Sequence, residues 1–210
     1  MRVSGRFITL EGGEGVGKST QLQALARALS SHDLDVITTR EPGGSPGAEA
    51  IRSLVLTGQS DRWSARAEAL LFAAARADHV EKTIRPALAA GKWVLSDRFL
   101  DSSRAYQSAA SGLSDADIWE LHRFGSAGLL PDRTLVLMLP EEDAEKRAAA
   151  RDGDAFDRFG ARDREFHRKV ANAFRSYAKQ EPDRFRLIDA SGAAGDVTPR
   201  LIDALSDLLP

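Results

Sequence analysis

Five short apolar runs punctuate the chain: Phe7–Glu11, Val36–Thr39, Trp93–Asp97, Thr134–Leu139 and Phe185–Asp189. Longer segments with helical spacing separate them. After the first run, Leu22, Leu25, Ala26 and Leu29 fall on one face of a helix. A long pattern from Trp63 to Leu88 places Ala67, Leu70, Leu71, Ala74 and Ala77 on a stripe that predicts a core-facing side. Strands alternating with helices predict right-handed crossovers and a five-stranded parallel sheet covered on both faces, an α/β protein in three α/β/α layers. No repeat or low-complexity linker interrupts the pattern, so residues 1–210 are expected to form one domain. Ligands of such sheets bind beyond the carboxyl ends of the strands. The distinctive residues of this chain cluster there.

Directly after the first run comes Gly12-Gly13-Glu14-Gly15-Val16-Gly17-Lys18-Ser19, and the helical pattern begins at once. A strand, a G-x-x-x-x-G-K-S turn and a helix make a phosphate-binding loop (P-loop) in its proper context. The glycines let successive N–H groups converge on an anion, and the helix N-terminus adds partial positive charge. Lys18 would reach the β- and γ-phosphates, and the Ser19 hydroxyl would ligate Mg²⁺.

The later strand ends carry further candidates. Thr39-Arg40-Glu41-Pro42-Gly43-Gly44-Ser45 presents Glu41 from a tight turn, with Arg52 in the helix beyond. Plain turn chemistry with solvated charges reads this stretch equally well. Phe72 and Arg76 lie one turn apart and could hold a planar base by stacking and paired donors; a core aromatic and a surface charge are the alternative. Asp97, at the tip of the third strand, suits Mg²⁺, and Arg98 suits a phosphate. Asp101 to Gln107 offers hydroxyl, phenol and amide groups, and alone would pass for a helix start capped by Asp101. The tract Glu145–Arg158 is a helix end and loop holding Arg147, Arg151, Arg158 and Gly153. It reads either as solvated charge or as a lid, over about 145–160, able to close on a triphosphate. The variable loop positions Gly13, Glu14, Gly15 and Val16 supply no arginine, so a catalytic cation must come from elsewhere. The four histidines have no metal-ligand spacing and are expected at the surface or in helices.

Composition narrows the class. A net charge of −2 gives no footprint for nucleic acid or an anionic membrane. No run is long enough to span a bilayer, and no secretory core follows Met1. Cysteine is absent, which excludes thiolate chemistry and fits a reducing compartment, so a cytoplasmic address is expected.

Taken together, the phosphate loop with its acid at Glu14, Thr39–Gly44, Leu71–Arg76, Asp97-Arg98-Phe99 and Asp101–Gln107 resemble the thymidylate kinase family, in its bacterial form, in order and spacing over nearly the whole chain. The resemblance implies a P-loop NTPase fold with a helical lid. It implies Mg²⁺-dependent transfer of the ATP γ-phosphoryl group to dTMP, giving dTDP on the route to dTTP. ATP would be held by Gly12 through Ser19 and by Thr20. For dTMP, Phe72 would stack on thymine while Arg76, Ser103 and Gln107 read its edge. Glu14 would hold the 3′-hydroxyl, and Tyr106 would crowd a ribose 2′-hydroxyl. Arg52 and Arg98 would grip the acceptor phosphate, organised with the metal by Glu41 and Asp97. Lys18, Arg98 and the lid arginines Arg147, Arg151 and Arg158 would be catalytic, and a homodimer packed through helices is implied. Two positions depart from the usual pattern: Phe99 where Tyr or His is common, and Gly160 where an acid often stands. A GTPase-type switch would need an Asn/Thr-Lys-x-Asp element after the fourth strand, and none is present. A kinase for another nucleotide or nucleoside would differ at Phe72, Arg76 and Gln107. A structural nucleotide binder leaves the acceptor set unexplained.

Overall fold

The computed structural model describes residues 5–59, 61–152, 159–160 and 162–210, with the backbone alone at Glu145 and 148–152. The first apolar run is β1 (Phe7–Glu11), buried at every residue because it lies mid-sheet. It pairs in parallel with β3 (Trp93–Asp97) on one side and β4 (Arg133–Met138) on the other. β2 (Val36–Arg40) and β5 (Phe185–Asp189) complete the sheet in the order β2-β3-β1-β4-β5. All five expected strands are present. β2 runs one residue further than the apolar run, and β4 is displaced by one.

Alternating strand residues face opposite layers. Ile8, Leu10, Leu95 and Leu135 pack against Leu22, Leu25 and Leu29 of α1 (Lys18–Ser30) and against Val197 and Leu201 of α9 (Ala194–Asp203). Each such burial contributes roughly 1.5–3 kcal/mol relative to exposure. On the other face Phe7 and Val94 meet α3 (Ala65–His79), α4 (Arg85–Ala89) and α6 (Asp115–Gly125), while Val136 meets α8 (Arg164–Gln180). α2 (Pro46–Leu56) follows the Glu41 turn, α5 (Leu100–Ser103) follows Arg98, and α7 (Glu141–Asp152) leads toward the expected lid.

The long pattern from Trp63 to Leu88 is not one regular helix. α3, capped by the Ser64 hydroxyl, passes through a wide π turn at Val80–Ile84 before α4. Pro86 explains the turn, since it donates no hydrogen bond and its ring crowds the carbonyl one turn back. The expected core stripe is also on the wrong side. Leu70 is 56% exposed and Ala74 is exposed, whereas Glu68, Ala69, Ala75, Arg76, His79 and Val80 are buried. The inward face of α3 is rich in polar groups that find partners inside, so hydrophobic periodicity picks out the outer face instead.

Asp101 is likewise not a helix cap. It is fully buried and accepts from Arg184 at 2.5 and 3.0 Å, from Arg104 at 3.0 Å and from Thr134 at 3.2 Å. Burial by itself would raise its pKa, but the hydrogen bond and charge of Arg184, with Arg104 behind them, hold it below the usual range. Arg104 in turn lies between the Trp119 and Tyr177 rings, 5.0 and 4.1 Å from their centroids. This network fixes the start of the segment that carries Ser103, Tyr106 and Gln107.

Candidate active site

The site grows from the end of β1. Gly12, at φ 133, leaves no room for a Cβ, which would lie 2.5 Å from the Leu137 carbonyl oxygen. Lys18 is 7% exposed and donates to the carbonyls of Gly12 at 3.3 Å and Gly13 at 2.6 Å. Burial, then the neighbouring Arg98 charge, lowers its pKa. The Ser19 hydroxyl donates to Asp97 at 2.7 Å, so an alcohol and a carboxylate oxygen sit side by side beneath the loop. Two hard oxygen donors, leaving the remaining positions to water and phosphate, fit Mg²⁺.

The parallel register sets Leu10 beside Asp97, and Arg98 N–H continues the ladder to the Leu10 carbonyl at 3.0 Å. Arg98 itself adopts φ 69, a left-handed conformation costing a side-chain-bearing residue roughly 1–2 kcal/mol. Glu11 braces this turn. Its carboxylate accepts from Phe99 N–H at 2.8 Å and from the Ser102 hydroxyl at 2.6 Å. Burial and then the Asp101 charge push its pKa up to about 8. The Arg98 guanidinium donates to the Gly12 carbonyl at 3.2 Å, to Ser102 at 3.1 Å and to Glu14. It lies 4.9 Å from the centroid of the Tyr106 ring, and the Tyr106 hydroxyl donates to Glu14 at 3.4 Å.

A second set hangs from β2 and α3. Glu41, 5% exposed, accepts from Arg76 Nε at 2.7 Å and from His79 Nδ1 at 3.0 Å. Burial would raise the Glu41 pKa; the Arg76 charge and the His79 hydrogen bond outweigh it and lower it. The carboxylate can only accept, so Nδ1 carries the hydrogen, and Nε2 meets the Thr39 hydroxyl at 2.6 Å. Gly44 makes room for this pair, because a Cβ there would lie 2.4 Å from both His79 Nε2 and Thr39 Oγ1. Thus oriented, Arg76 Nη2 donates to Ser103 at 2.7 Å and to the Phe99 carbonyl at 3.2 Å. His79 and His122 lie in α3 and α6, within the helix placement expected for the histidines, and their rings are buried in the interior. Burial, then the Arg76 charge, lowers the His122 pKa to about 4, which keeps that ring neutral.

A cavity of about 790 Å³ joins both sets. Glu14 through Thr20 line one part of it, with Asp97 and Arg98 between. Glu41, Arg52, Phe72, Arg76, Ser103, Tyr106 and Gln107 line the other part. Arg52 donates to the Pro42 carbonyl at 2.7 Å, and Arg147 reaches the cavity while donating to the carbonyls of Ala190 at 3.2 Å and Gly192 at 3.1 Å. Gly12 and Gly13 take part through the carbonyls that hold Lys18. The Arg151 side chain and all of Arg158 lie outside the described residues. Phe159, unsingled in the sequence, lines the cavity 5.7 Å from the Phe72 ring and 6.0 Å from Tyr106. Phe99, one of the two atypical positions, packs edge-on against Phe7 at 4.8 Å and contributes its backbone to the site.

A phosphate loop at the end of a central parallel strand, sharing one cavity with a second cationic and aromatic set, defines a P-loop nucleotide phosphotransferase. A sequence profile of thymidylate kinase matches residues 10–200. The chain is 65% identical to thymidylate kinase from Rhizorhabdus wittichii, over 98% of this chain and 99% of that one. It is 50% identical to the Bradyrhizobium enzyme over 98% and 91%. The crystal structure of thymidylate kinase from Ehrlichia chaffeensis superposes with a TM-score of 0.76 at 31% identity, covering 96% and 99%. The chain belongs to the thymidylate kinase family.

Proposed function

We propose that this chain transfers the ATP γ-phosphoryl group to dTMP, giving dTDP and ADP. The observation that carries this reading is the shared cavity, in which Lys18 and Ser19 stand at one part and Phe72, Arg76 and Gln107 at the other, with Arg98 between. Bound with ATP, Mg²⁺ near Ser19 and Asp97 would neutralise charge on the phosphate oxygens. The residues do the rest by positioning. Lys18 leaves the loop carbonyls for the phosphates. Arg52 and Arg98 hold the acceptor phosphate in line, and Glu14 and Tyr106 flank the sugar. Phe72 stacks on the base, while Arg76, held by Glu41, donates to its carbonyl edge. One domain, with a lid over about 145–160 that excludes water, fits this scheme. Cysteine is absent, which fits a reducing cytoplasm, and no described helix is long and apolar enough to cross a membrane.

ADP release measured against dTMP, dUMP, dCMP, dGMP and dAMP tests the assignment, with dTMP expected to be preferred. Phe72→Ala removes stacking worth about 0.5–1.5 kcal/mol beyond burial. Arg76→Met removes hydrogen bonds to a charged group worth about 1.5–3 kcal/mol. Both variants should raise KM for dTMP at least several-fold with little change in KM for ATP. An effect on ATP alone would place the two residues at the wrong end of the cavity.

The partner is a second copy of this chain, docked on the apolar outer face of α3 and α6. The two helices lie side by side, with Gly125 against Ala73 and Ala77. Leu70 and Ala74 face outward, and Phe124 is 92% exposed. Exposed apolar side chains on two helices that pack side by side are the feature that supports this interface. Sedimentation should give a dimer for the native chain and a monomer for Phe124→Asp; a native monomer at micromolar concentration refutes the interface.

A further inference from the structure

α3 places Glu68, Phe72 and Arg76 one helical turn apart on a single face. Opposite them, Ser103 and Gln107 are also four residues apart. Two cross-links join the ladders. Arg76 donates to Ser103 at 2.7 Å, and the Gln107 amide donates through Nε2 to Glu68 Oε1 at 3.1 Å. Glu68 is 3% exposed, Gln107 is 2% exposed, and only Gln107 of the two lines the cavity. Near a helix N-terminus an acid commonly serves the helix dipole from the surface. Glu68 instead points inward and spends a carboxylate oxygen on one amide.

The two ends of a glutamine amide are nearly the same size, so its direction is decided by its hydrogen-bond partners. A carboxylate has no proton to give. Glu68 therefore takes the NH₂ end of Gln107 and turns Oε1, which has no donor among the described residues, toward the cavity. Arg76 can only donate. The base pocket thus presents a donor and an acceptor: Arg76 for a ring carbonyl, Gln107 for the neighbouring ring N–H. Thymine, with a carbonyl beside an imino N–H, matches. A 4-amino pyrimidine shows an amino donor and a bare ring nitrogen there, and meets like against like at both points.

We propose that Glu68 is the specificity-determining positioning residue of the base pocket, selecting keto over amino pyrimidines by fixing which end of Gln107 faces the base. The proposal rests on the dTMP reading above. In Glu68→Gln the partner can donate as well as accept, so Gln107 can turn over and offer its NH₂ to the ring nitrogen.

The test compares kcat/KM for dTMP with that for 5-methyl-dCMP, which keeps the shape and methyl group and exchanges the carbonyl for an amino group. The native ratio should fall about tenfold or more in Glu68→Gln, the scale set by one buried polar contact reversed. Glu68→Asp, which keeps an obligate acceptor, should hold a ratio nearer the native one. Should Glu68→Gln fold poorly, the same ratio is measured in Glu68→Met, which frees the amide without offering a donor, and the same loss of discrimination is expected. A native chain that discriminates, with variants that keep its ratio while losing rate on both nucleotides equally, leaves Glu68 a structural residue and overturns the proposal alone. A native chain that turns over neither nucleotide overturns the dTMP reading and the proposal with it.

Discussion

Lys18→Ala is expected to lower kcat by about 10³-fold while the chain stays folded, because preorganised cationic and hydrogen-bonding donors at a developing charge are worth about 10²–10³ each. The fold should survive since the Lys18 ammonium rests on the Gly12 and Gly13 carbonyls and fills no part of the apolar core. Lys18 itself lines the cavity, so its removal opens space that water can enter to meet the freed carbonyls. Thermal melting should therefore shift by no more than a few degrees while single-turnover transfer from ATP to dTMP collapses. Near-native turnover in a well-folded Lys18→Ala variant would remove the loop from the reaction. Lys18→Arg should not rescue it fully, since a planar fork cannot occupy a point-charge position beneath the loop.

How far the fold could be read from the chain depends on which contacts are local. The strands were legible because each is a short apolar run between helical patterns, and β1 with the phosphate loop is nearly continuous in sequence. Phe72 and Arg76 were within reach of helical spacing, and Asp97 and Arg98 of their place at a strand tip. Glu68 and His79 were not, because a polar residue on a helix ordinarily marks its wet side. On α3 the rule inverts: the dry face carries Glu68, Arg76 and His79, satisfied by Gln107, Ser103, Glu41 and Thr39. The apolar stripe of Leu70 and Ala74 then looks outward, a pattern that fits a helix shared between two molecules better than one closing its own core. Asp101 alone passes for a cap because Arg184, its main counter-charge, lies 83 residues away. Glu11 was hidden for the same reason: the groups it binds, Phe99 N–H and the Ser102 hydroxyl, lie at the end of a different strand. Buried polar and ionisable groups reveal themselves only through their partners.

The second large effect is expected where the transferred charge must be met. Arg98, beside the phosphate loop, is already engaged by Glu14, so this pair adds no net positive charge to that of Lys18. Further positive charge has to arrive from the other side of the cavity. Arg147 on α7 is the described residue placed to supply it, tethered to the Ala190 and Gly192 carbonyls beyond β5 and lining the same cavity as Lys18. Arg151 follows Arg147 in α7, its side chain outside the described residues, and Arg158 follows in the segment that is likewise not described. An arginine supplied to a phosphoryl-transfer transition state is worth roughly 10³–10⁵ in rate. The triple variant Arg147→Ala, Arg151→Ala, Arg158→Ala should lose kcat on that scale, with Arg151→Ala alone accounting for most of it. Calorimetric affinity for dTMP without ATP should stay nearly unchanged, since Phe72, Arg76 and Gln107 belong to other elements. If kcat in the triple variant stays near native, the tract is solvated surface; if dTMP affinity falls in parallel, the three arginines serve the acceptor and the lid assignment fails.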